Sequence, residues 1–599
     1  MRSMKFNIKI IGFAVLFLFT ITSCEDYLDN ENKSNLGDET QWASETNADI
    51  YLNSVYGDLP EKWNNSEHLD YYTDDYNISH YYTASNWRTG ICVAPTTSTT
   101  NEWFGTQGPT DRTSWALLYE RVRKCNTFIQ KLEEYKANYT DDYYNKRLDE
   151  VRFLRAYFYS EAFVHMGGLV ILTEPLDRIS MTDDEMQLER STFEETFDFI
   201  VGELGDIVDN GYLDVKYNNG DSDAGRVTLG AALALKGWLE LFAASPLFNS
   251  GTPYLDDPNN YVHFASADNT RWAVAAATNK KFIDDYGNGI YYELYSDLPN
   301  LWRASNEYNS EIIWDRQYIA LAGLGSGYER RGGVTYVLGQ YMTWGNYNPT
   351  QELVDDFLMA NGKLITDPTS GYDPQNPYVG REDRFYDFIV FDGAEYYLDW
   401  MPRADTIYTR IDEVTPSINE IDLSGSTDVG DSGYYQKKKL NPDAAPADDA
   451  SGQNFVYYRY AEVLLNYAEA QNEAVGPDES VYSAINKIRS RSNLPELEAG
   501  LTQDEMREEI MRERRVELCF ESKRFLDTKR WKITEDVMGV PRHNMVIRNS
   551  SPSDNSGDWL YNVEEEIKYV AKFEQKQYMS PIPQDVIDQN PNVGQNPGY

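Results

Sequence analysis

Along much of the chain apolar residues return every three or four positions, a spacing that predicts amphipathic helices over 42–58, 113–136, 140–166, 193–210, 226–244, 270–286 and 460–474. In 140–166 the apolar stripe is Val151, Leu154, Phe158 and Ala162, and Gly167-Gly168 stops it. The 226–244 stretch is apolar on nearly all sides and rich in small residues, so it belongs inside with neighbouring helices close by. Ala461, Leu464, Leu465 and Ala468 share one face; Gly476-Pro477 breaks that helix, and Val481, Ile485 and Ile488 restart the pattern. From Arg459 to Ser492 is 34 residues, the length of one tetratricopeptide unit. Helix pairs at 113–166, 193–244 and 459–491, with 270–286 beside them, read as hairpins stacked in an α-solenoid. The predicted fold class is mostly α.

Residues 501–531 read as the strongest single helix, opened by a capping box of Thr502 and Glu505. Met511, Leu518 and Phe525 share one apolar face and Val516 and Phe520 another, with Glu513, Glu517, Glu521 and Arg524 between them and Arg514 alongside. Charges flanked by apolar stripes are expected to be semi-buried and mutually paired. Acid alternating with base at helical spacing favours that role over paired catalytic carboxylates. Between 60 and 110, and again from 288 to 458, the periodicity lapses into Gly, Pro and Asp with scattered aromatics. One helix at 349–360 and weak strands at 312–314 and 388–391 interrupt the second region. Loops laid over a helical scaffold are where binding residues sit.

The amino terminus departs from both patterns. Arg2, Lys5 and Lys9 precede ten apolar residues, 10–19, too few to span a bilayer, which needs about 20. This is the order of parts in a secretory signal. Ile21-Thr22-Ser23-Cys24 resembles the lipobox of bacterial lipoproteins, in which the cysteine becomes the first mature residue and carries lipid; the alternative is an ordinary signal with an incidental cysteine. Several acyl chains make a lasting anchor where one would not. Residues 25–41 are polar and read as a tether.

Charge narrows the function. The net charge of −43 becomes −46 once Arg2, Lys5 and Lys9 leave with the signal, and a surface that negative repels phosphate backbones and anionic lipid. Nucleic acid is therefore no partner, and the membrane is met through the lipid anchor only. Cys92, Cys125 and Cys519 form no disulfide framework, and the five histidines show no metal-binding spacing, so no cofactor or metal is expected. The chain carries 46 Tyr, 13 Trp and 24 Phe, and tyrosine's apolar ring with a polar tip suits flat platforms for the C–H faces of sugar rings. The glycines of 323–327 lack the strand-loop-helix context of a nucleotide cradle.

Several blocks, in order, resemble the SusD/RagB family: Ser23-Cys-Glu-Asp-Tyr-Leu-Asp29, Leu154-Arg-Ala-Tyr-Phe158, Arg226-Val-Thr to Leu247-Phe-Asn249, Glu311-Ile-Ile-Trp314, Pro349-Thr-Gln-Glu-Leu-Val354, Arg459-Tyr-Ala-Glu to Ala470, Arg512-Glu-Arg-Arg-Val-Glu to Glu521, Arg524-Phe-Leu-Asp527 with Arg530-Trp531, and Pro581-Ile-Pro-Gln584 to Gln595-Asn-Pro-Gly598. The resemblance implies a SusD-like fold with four tetratricopeptide-like units. It also implies a surface lipoprotein that captures oligosaccharide, without cutting it, as a hinged lid over a SusC-like TonB-dependent outer-membrane transporter. On this reading 1–23 is the signal peptide, 24–41 the tether and 42–599 one domain. Its helical scaffold takes about 42–287 and 459–531, its loop-rich ligand-binding half about 60–110 and 288–458, and its tail 532–599.

Where the family carries its ligand contacts, the aromatic clusters supply the candidates. Trp87, Trp103, Tyr341 and Trp344, set among Asn, Thr, Gly and Arg, rank first; Tyr82, Trp302 and Tyr347 follow, and Trp314 is expected in the core. Asn86, Arg88 and Asn346 are candidates to orient hydroxyls of a stacked sugar. Two competing functions stay open: a glycoside hydrolase, which needs two carboxylates about 5 to 10 Å apart across a cleft, and a helical-repeat scaffold that binds only protein.

Overall fold

Side-chain caps start most of the long helices. Ser44, Ser114, Thr140, Thr192, Thr228 and Thr502 each accept a hydrogen bond from the backbone N–H three residues on. They open α1 (Glu45–Tyr56), α2 (Trp115–Glu134), α3 (Asp141–Met166), α4 (Phe193–Asn210), α5 (Leu229–Ala244) and, further on, the helix Gln503–Leu518. The other helices of six or more residues are α6 (Thr270–Asp285), α7 (Gln351–Asp356), α8 (Asp383–Phe388), α9 (Tyr460–Val475), α10 (Glu479–Arg491), then α11 (Gln503–Leu518), α12 (Arg524–Arg530) and α13 (Gln584–Gln589). The computed structural model describes residues 37–60, 69–77, 87, 93–94, 114–177, 179–425, 427–447, 450–566 and 572–599. Cys24 with its leader, and Tyr82, Asn86, Arg88 and Trp103, lie outside the described residues. Among those described, no helix is long and apolar enough to cross a membrane.

The helices stack in sequence: α2 on α3, α3 on α4, α4 on α5, α5 on α6, α6 on α9, and α9 on α10 and α11. The expected pair α9–α10 is present, and α9 also lies along α6, across the whole irregular region. Small residues permit the close approach: a Cβ on Gly237 of α5 would meet the Asn279 side chain of α6 at 2.8 Å, and Asn279 Nδ2 donates to the Gly237 carbonyl at 3.1 Å. Gly167 ends α3 with φ +83°. Gly168 then passes so close to Ser191 that an added Cβ would sit 2.0 Å from its carbonyl oxygen.

The described strands form two-stranded sheets, two of which pair segments far apart along the chain. Ile312–Arg316 pairs antiparallel with Phe455–Arg459, so the chain leaves and re-enters the helical stack at one place. Tyr76–Asn77 of the first loop pairs with Asn348–Pro349 of the second. Trp314 is core, as expected, with its ring 4.4 Å from that of Tyr457. Helix α7 is shorter than the 349–360 pattern predicts, because Phe357 turns to extended backbone.

The largest departure from the sequence pattern is at 519–523. The single helix expected over 501–531 ends at Leu518; Phe520 and Ser522 take left-handed φ of +64° and +60°, and α12 starts anew. Remote groups determine this break. Lys438 Nζ donates to the carbonyls of Glu517 and Cys519 at 2.8 and 2.9 Å, Lys439 Nζ donates to Phe520 O at 2.8 Å, and Ser522 N–H donates to Asp70 at 3.0 Å. Carbonyls that a continuous helix would satisfy internally are satisfied by buried lysines instead.

Lys438 belongs to a buried ion network. Glu513, Glu517 and Glu521 are buried, and most of their cations come from outside their own helix. Arg384 bonds Glu382, Glu513 and Glu517; Arg459 bonds Glu311, Glu517 and Glu521; Arg491 bonds Glu311 and Glu517; Arg489 and Lys438 complete the set on Glu513 and Glu521. Among the described residues that is five cations to five carboxylates, the balance a buried cluster needs to avoid a stranded charge. The network joins α8 and the 437–439 turn of the irregular half to α10 and α11 of the scaffold. The loops therefore rest on a rigid floor.

Candidate functional site

The segment 328–350 builds a braced aromatic hairpin on that floor. Tyr336–Val337 pairs with Gln340–Tyr341, and the two-residue turn Leu338-Gly339 has both φ positive, at +51° and +76°. That is the geometry of a type I′ turn, which suits Gly339 and strains Leu338. The strained residue is held by a hydrogen bond from its N–H to Asp405 Oδ2 at 2.6 Å. Asn419 bonds both backbone groups of Tyr336, accepting from its N–H at 3.0 Å and donating to its carbonyl at 2.7 Å.

The hairpin presents Tyr341, 39% exposed, with the Tyr336 ring edge-on at 5.5 Å and the Arg330 guanidinium 4.9 Å from its centre. The Tyr341 hydroxyl donates to Asp428 Oδ2 at 2.6 Å; partial burial first, then that carboxylate, push the phenol pKa up. Half-buried Trp344 follows, with Arg331 5.8 Å from its ring centre and its backbone N–H bonded to Arg330 O at 2.9 Å. The arrangement offers two oriented ring platforms beside carboxylate, amide and guanidinium groups. The chemistry of such a surface is complementary to a ligand with an apolar face and polar edges.

The remaining described candidates sit elsewhere. Trp87 is 2% exposed and packs edge-on against Tyr72 at 5.5 Å, its carbonyl accepting from Gln577 Nε2 at 2.6 Å. Tyr347 is fully buried in a tyrosine cluster with Tyr71, Tyr76 and Tyr328, and Asn346 is buried beside it. The accessible ring that polar neighbours in sequence suggested for Trp87 is thus corrected, and the lower-ranked candidate Tyr347 is buried too: adjacent residues point apart, so polar neighbours do not keep a ring at the surface. Trp302, 5% exposed, lines a separate cleft.

Two family models match the chain. One, described as the SusD family, covers residues 310–599; the other, described as starch-binding associating with outer membrane, covers 26–207. The chain belongs to the SusD/RagB family. A SusD-like protein of Formosa agariphila is 23% identical over 546 residues, covering 89% of this chain and 93% of the relative. The crystal structure of a SusD-like protein from Bacteroides fragilis is similar with a TM-score of 0.73 at 26% identity, covering 94% of this chain and 99% of that one. A second B. fragilis structure, described as a SusD-like carbohydrate binding protein, has a TM-score of 0.71 at 20% identity, covering 93% and 100%.

Within this SusD-family fold, sequence reasoning missed Tyr336, Asp405, Asn419 and Asp428, which hold the hairpin. The signal available was slight: a glycine after Leu338 between two short apolar-aromatic runs. Two adjacent acidic pairs, Asp74-Asp75 and Asp284-Asp285, are engaged structurally. Asp74 and Asp75 are clamped by Arg515 and Arg524, and Asp284 and Asp285 pair with Lys280 and Lys281 one turn back. Among the described residues no group of three or more His, Cys, Asp or Glu is placed to hold a metal ion.

Proposed function

We propose that this SusD-family chain is a cell-surface glycan-binding lipoprotein that captures oligo- or polysaccharide without cleaving it and passes it to a SusC-like TonB-dependent transporter. The observation that carries the reading is the Tyr341–Trp344 platform on a strained, hydrogen-bonded hairpin: strain held in place by a network marks a functional segment. The description of a structurally similar protein as carbohydrate binding supports it. Lipid on Cys24 would leave the body on a leash, free to move as a lid at the outer membrane's exterior. The negative charge favours a neutral glycan.

The test uses the soluble body, residues 25–599, in native gels containing neutral and acidic polysaccharides, with reducing ends assayed in parallel. Retardation by one glycan without new reducing ends is expected. New reducing ends would sink the reading in favour of a hydrolase, and no retardation anywhere would favour a protein-binding scaffold. Metabolic lipid labelling of the full chain, lost in Cys24→Ala, and co-purification with a transporter barrel test the anchor and the partner.

A further inference from the structure

The Tyr341–Trp344 platform stands on a single helical turn, Tyr328–Arg331. Arg330 O accepts from the Trp344 N–H and Arg331 O from the Asn346 N–H, each at 2.9 Å, and Arg330 Nη1 donates to Met342 O at 2.5 Å. A shift of this turn is therefore a shift of the platform. The turn is itself seated by Glu329, the residue before those two arginines, whose side chain is buried. One of its carboxyl oxygens accepts from the Ser451 hydroxyl at 2.5 Å, and the other has no hydrogen-bond partner. Ser451 is a fixed post: it exchanges backbone hydrogen bonds with Ser326 at 2.7 and 3.0 Å, and its hydroxyl oxygen accepts from the Gln453 N–H at 3.2 Å.

Glu311, Glu382, Glu513, Glu517 and Glu521 of the buried network each hold a cation, whereas Glu329 pairs with none among the described residues. The charged groups on the segments around it are committed elsewhere. Arg330 and Arg331 stand at the Tyr341 and Trp344 rings. On the 437–443 turn Lys437 donates to Tyr386 O, Lys438 pairs with Glu521, Lys439 donates to Phe520 O and Asp443 pairs with Arg303. The Tyr328 phenol, next to Glu329 in the turn, accepts from Gln436. A lone carboxylate out of water costs far more than a neutral acid, so burial pushes the Glu329 pKa up to about 7, with the Ser451 hydrogen bond pulling the other way. Such an acid keeps its proton in the fold while the unfolded chain loses it at the ordinary 4.5, so the seat weakens as pH rises from 4.5 toward about 7, where the folded protein loses the proton too. Once charged, the carboxyl gains by turning to water, and the turn that carries it must shift.

We propose that Glu329 is a positioning residue for the platform, seated as the neutral acid, and that its ionisation releases the 328–331 turn and weakens glycan binding as pH rises. The effect on binding rests on the glycan-binding reading above; the effect on the platform does not, so the two can fail separately.

The test labels the soluble body, residues 25–599, with 5-fluorotryptophan and follows the fluorine resonance of Trp344, assigned by its loss in Trp344→Phe, from pH 5.5 to 8.5. The resonance should shift with a midpoint near pH 7. The shift should be absent in Glu329→Gln, a neutral side chain of the same shape. Ser451→Ala, which removes the hydrogen bond that lowers the pKa, should move the midpoint up. A flat Trp344 signal, a transition that survives in Glu329→Gln, or an unmoved midpoint in Ser451→Ala overturns the proposal; should Glu329→Gln fail to fold, Ser451→Ala decides. In native gels containing glycogen, xylan or barley β-glucan, affinity for a polysaccharide that retards the protein should fall up to about tenfold between pH 6 and pH 8, following the neutral fraction of one group that titrates at about 7. That fall should be absent in Glu329→Gln. Equal retardation at both pH values overturns the proposal and leaves the glycan reading standing. A fluorine transition lost in Glu329→Gln, with no polysaccharide retarding the protein, supports the seat and counts against the glycan reading alone.

Discussion

Replacing Arg459 by methionine tests the claim that the buried ion network fixes the loop-rich half to the helical stack. The arginine makes five hydrogen bonds: to Glu311 at 2.6 Å, to Glu517 Oε1 and Glu517 O at 2.7 Å each, and to Glu521 at 2.7 and 2.8 Å. Its removal takes from Glu521 the cation that lowers its pKa most, leaves Lys438 bonded to it, and strips one positive charge from the cluster. Burial by itself would raise the Glu521 pKa; Arg459 first and Lys438 next overcome that and hold it at about 2. A carboxylate held there instead of at its ordinary 4.5 contributes roughly 3 kcal/mol at neutral pH. Losing one partner of a buried pair costs about 3–5 kcal/mol, so the two routes agree.

The pH dependence has a definite sign. A lowered folded pKa means stability that is present above 4.5 and lost as pH falls toward about 2. In Arg459→Met the folded pKa of Glu521 rises, so the difference from wild type should be largest near neutral pH and shrink as pH falls through that raised pKa toward about 2. Urea unfolding midpoints at both ends of that range, with unchanged slope, measure it. Adding Glu521→Gln to Arg459→Met should restore part of the loss, because the stranded charge is gone. A loss under about 1 kcal/mol at pH 7, or a difference independent of pH, would refute the account.

Other substitutions separate platform from packing. Tyr341→Ala and Trp344→Ala should each weaken the glycan found in the gel assay about tenfold or more by calorimetry, leaving the far-ultraviolet circular dichroism unchanged. Tyr347→Ala, in the buried tyrosine cluster, should instead cost stability, about 3–5 kcal/mol in the same urea assay. Gly168→Ala should destabilise by about 3 kcal/mol, since its methyl would meet the Ser191 carbonyl; a thermal scan reads this directly. Thr502→Ala, which removes the α11 cap but no core contact, should lower stability by only about 1 kcal/mol.

By itself the sequence determined the elements that depend on neighbours within a turn or two. The boundaries of α4 follow from the Thr192–Glu195 capping box and Gly211 in left-handed conformation, both local features. The all-round apolar face of α5 foretold its burial, and Gly476 after Val475 foretold the turn into α10. Charge pattern also announced that Glu513, Glu517 and Glu521 would be paired, but not with what. Arg384 and Arg459 are more than fifty residues away along the chain, and an ion pair is specified by the space between folded segments, where sequence spacing carries no information. For the same reason helical spacing through 519–523 misled: the pattern continues, but Lys438, Lys439 and Asp70 take the backbone groups that a helix would have paired. The site divides likewise. Trp87 ranked with Tyr341 and Trp344 on its polar neighbours in sequence, and it is core, as is the lower-ranked Tyr347. Which aromatic ring keeps a face in water was decided only when the Asp405, Asn419 and Asp428 side chains closed on the hairpin, because exposure belongs to the packed surface and not to the residue.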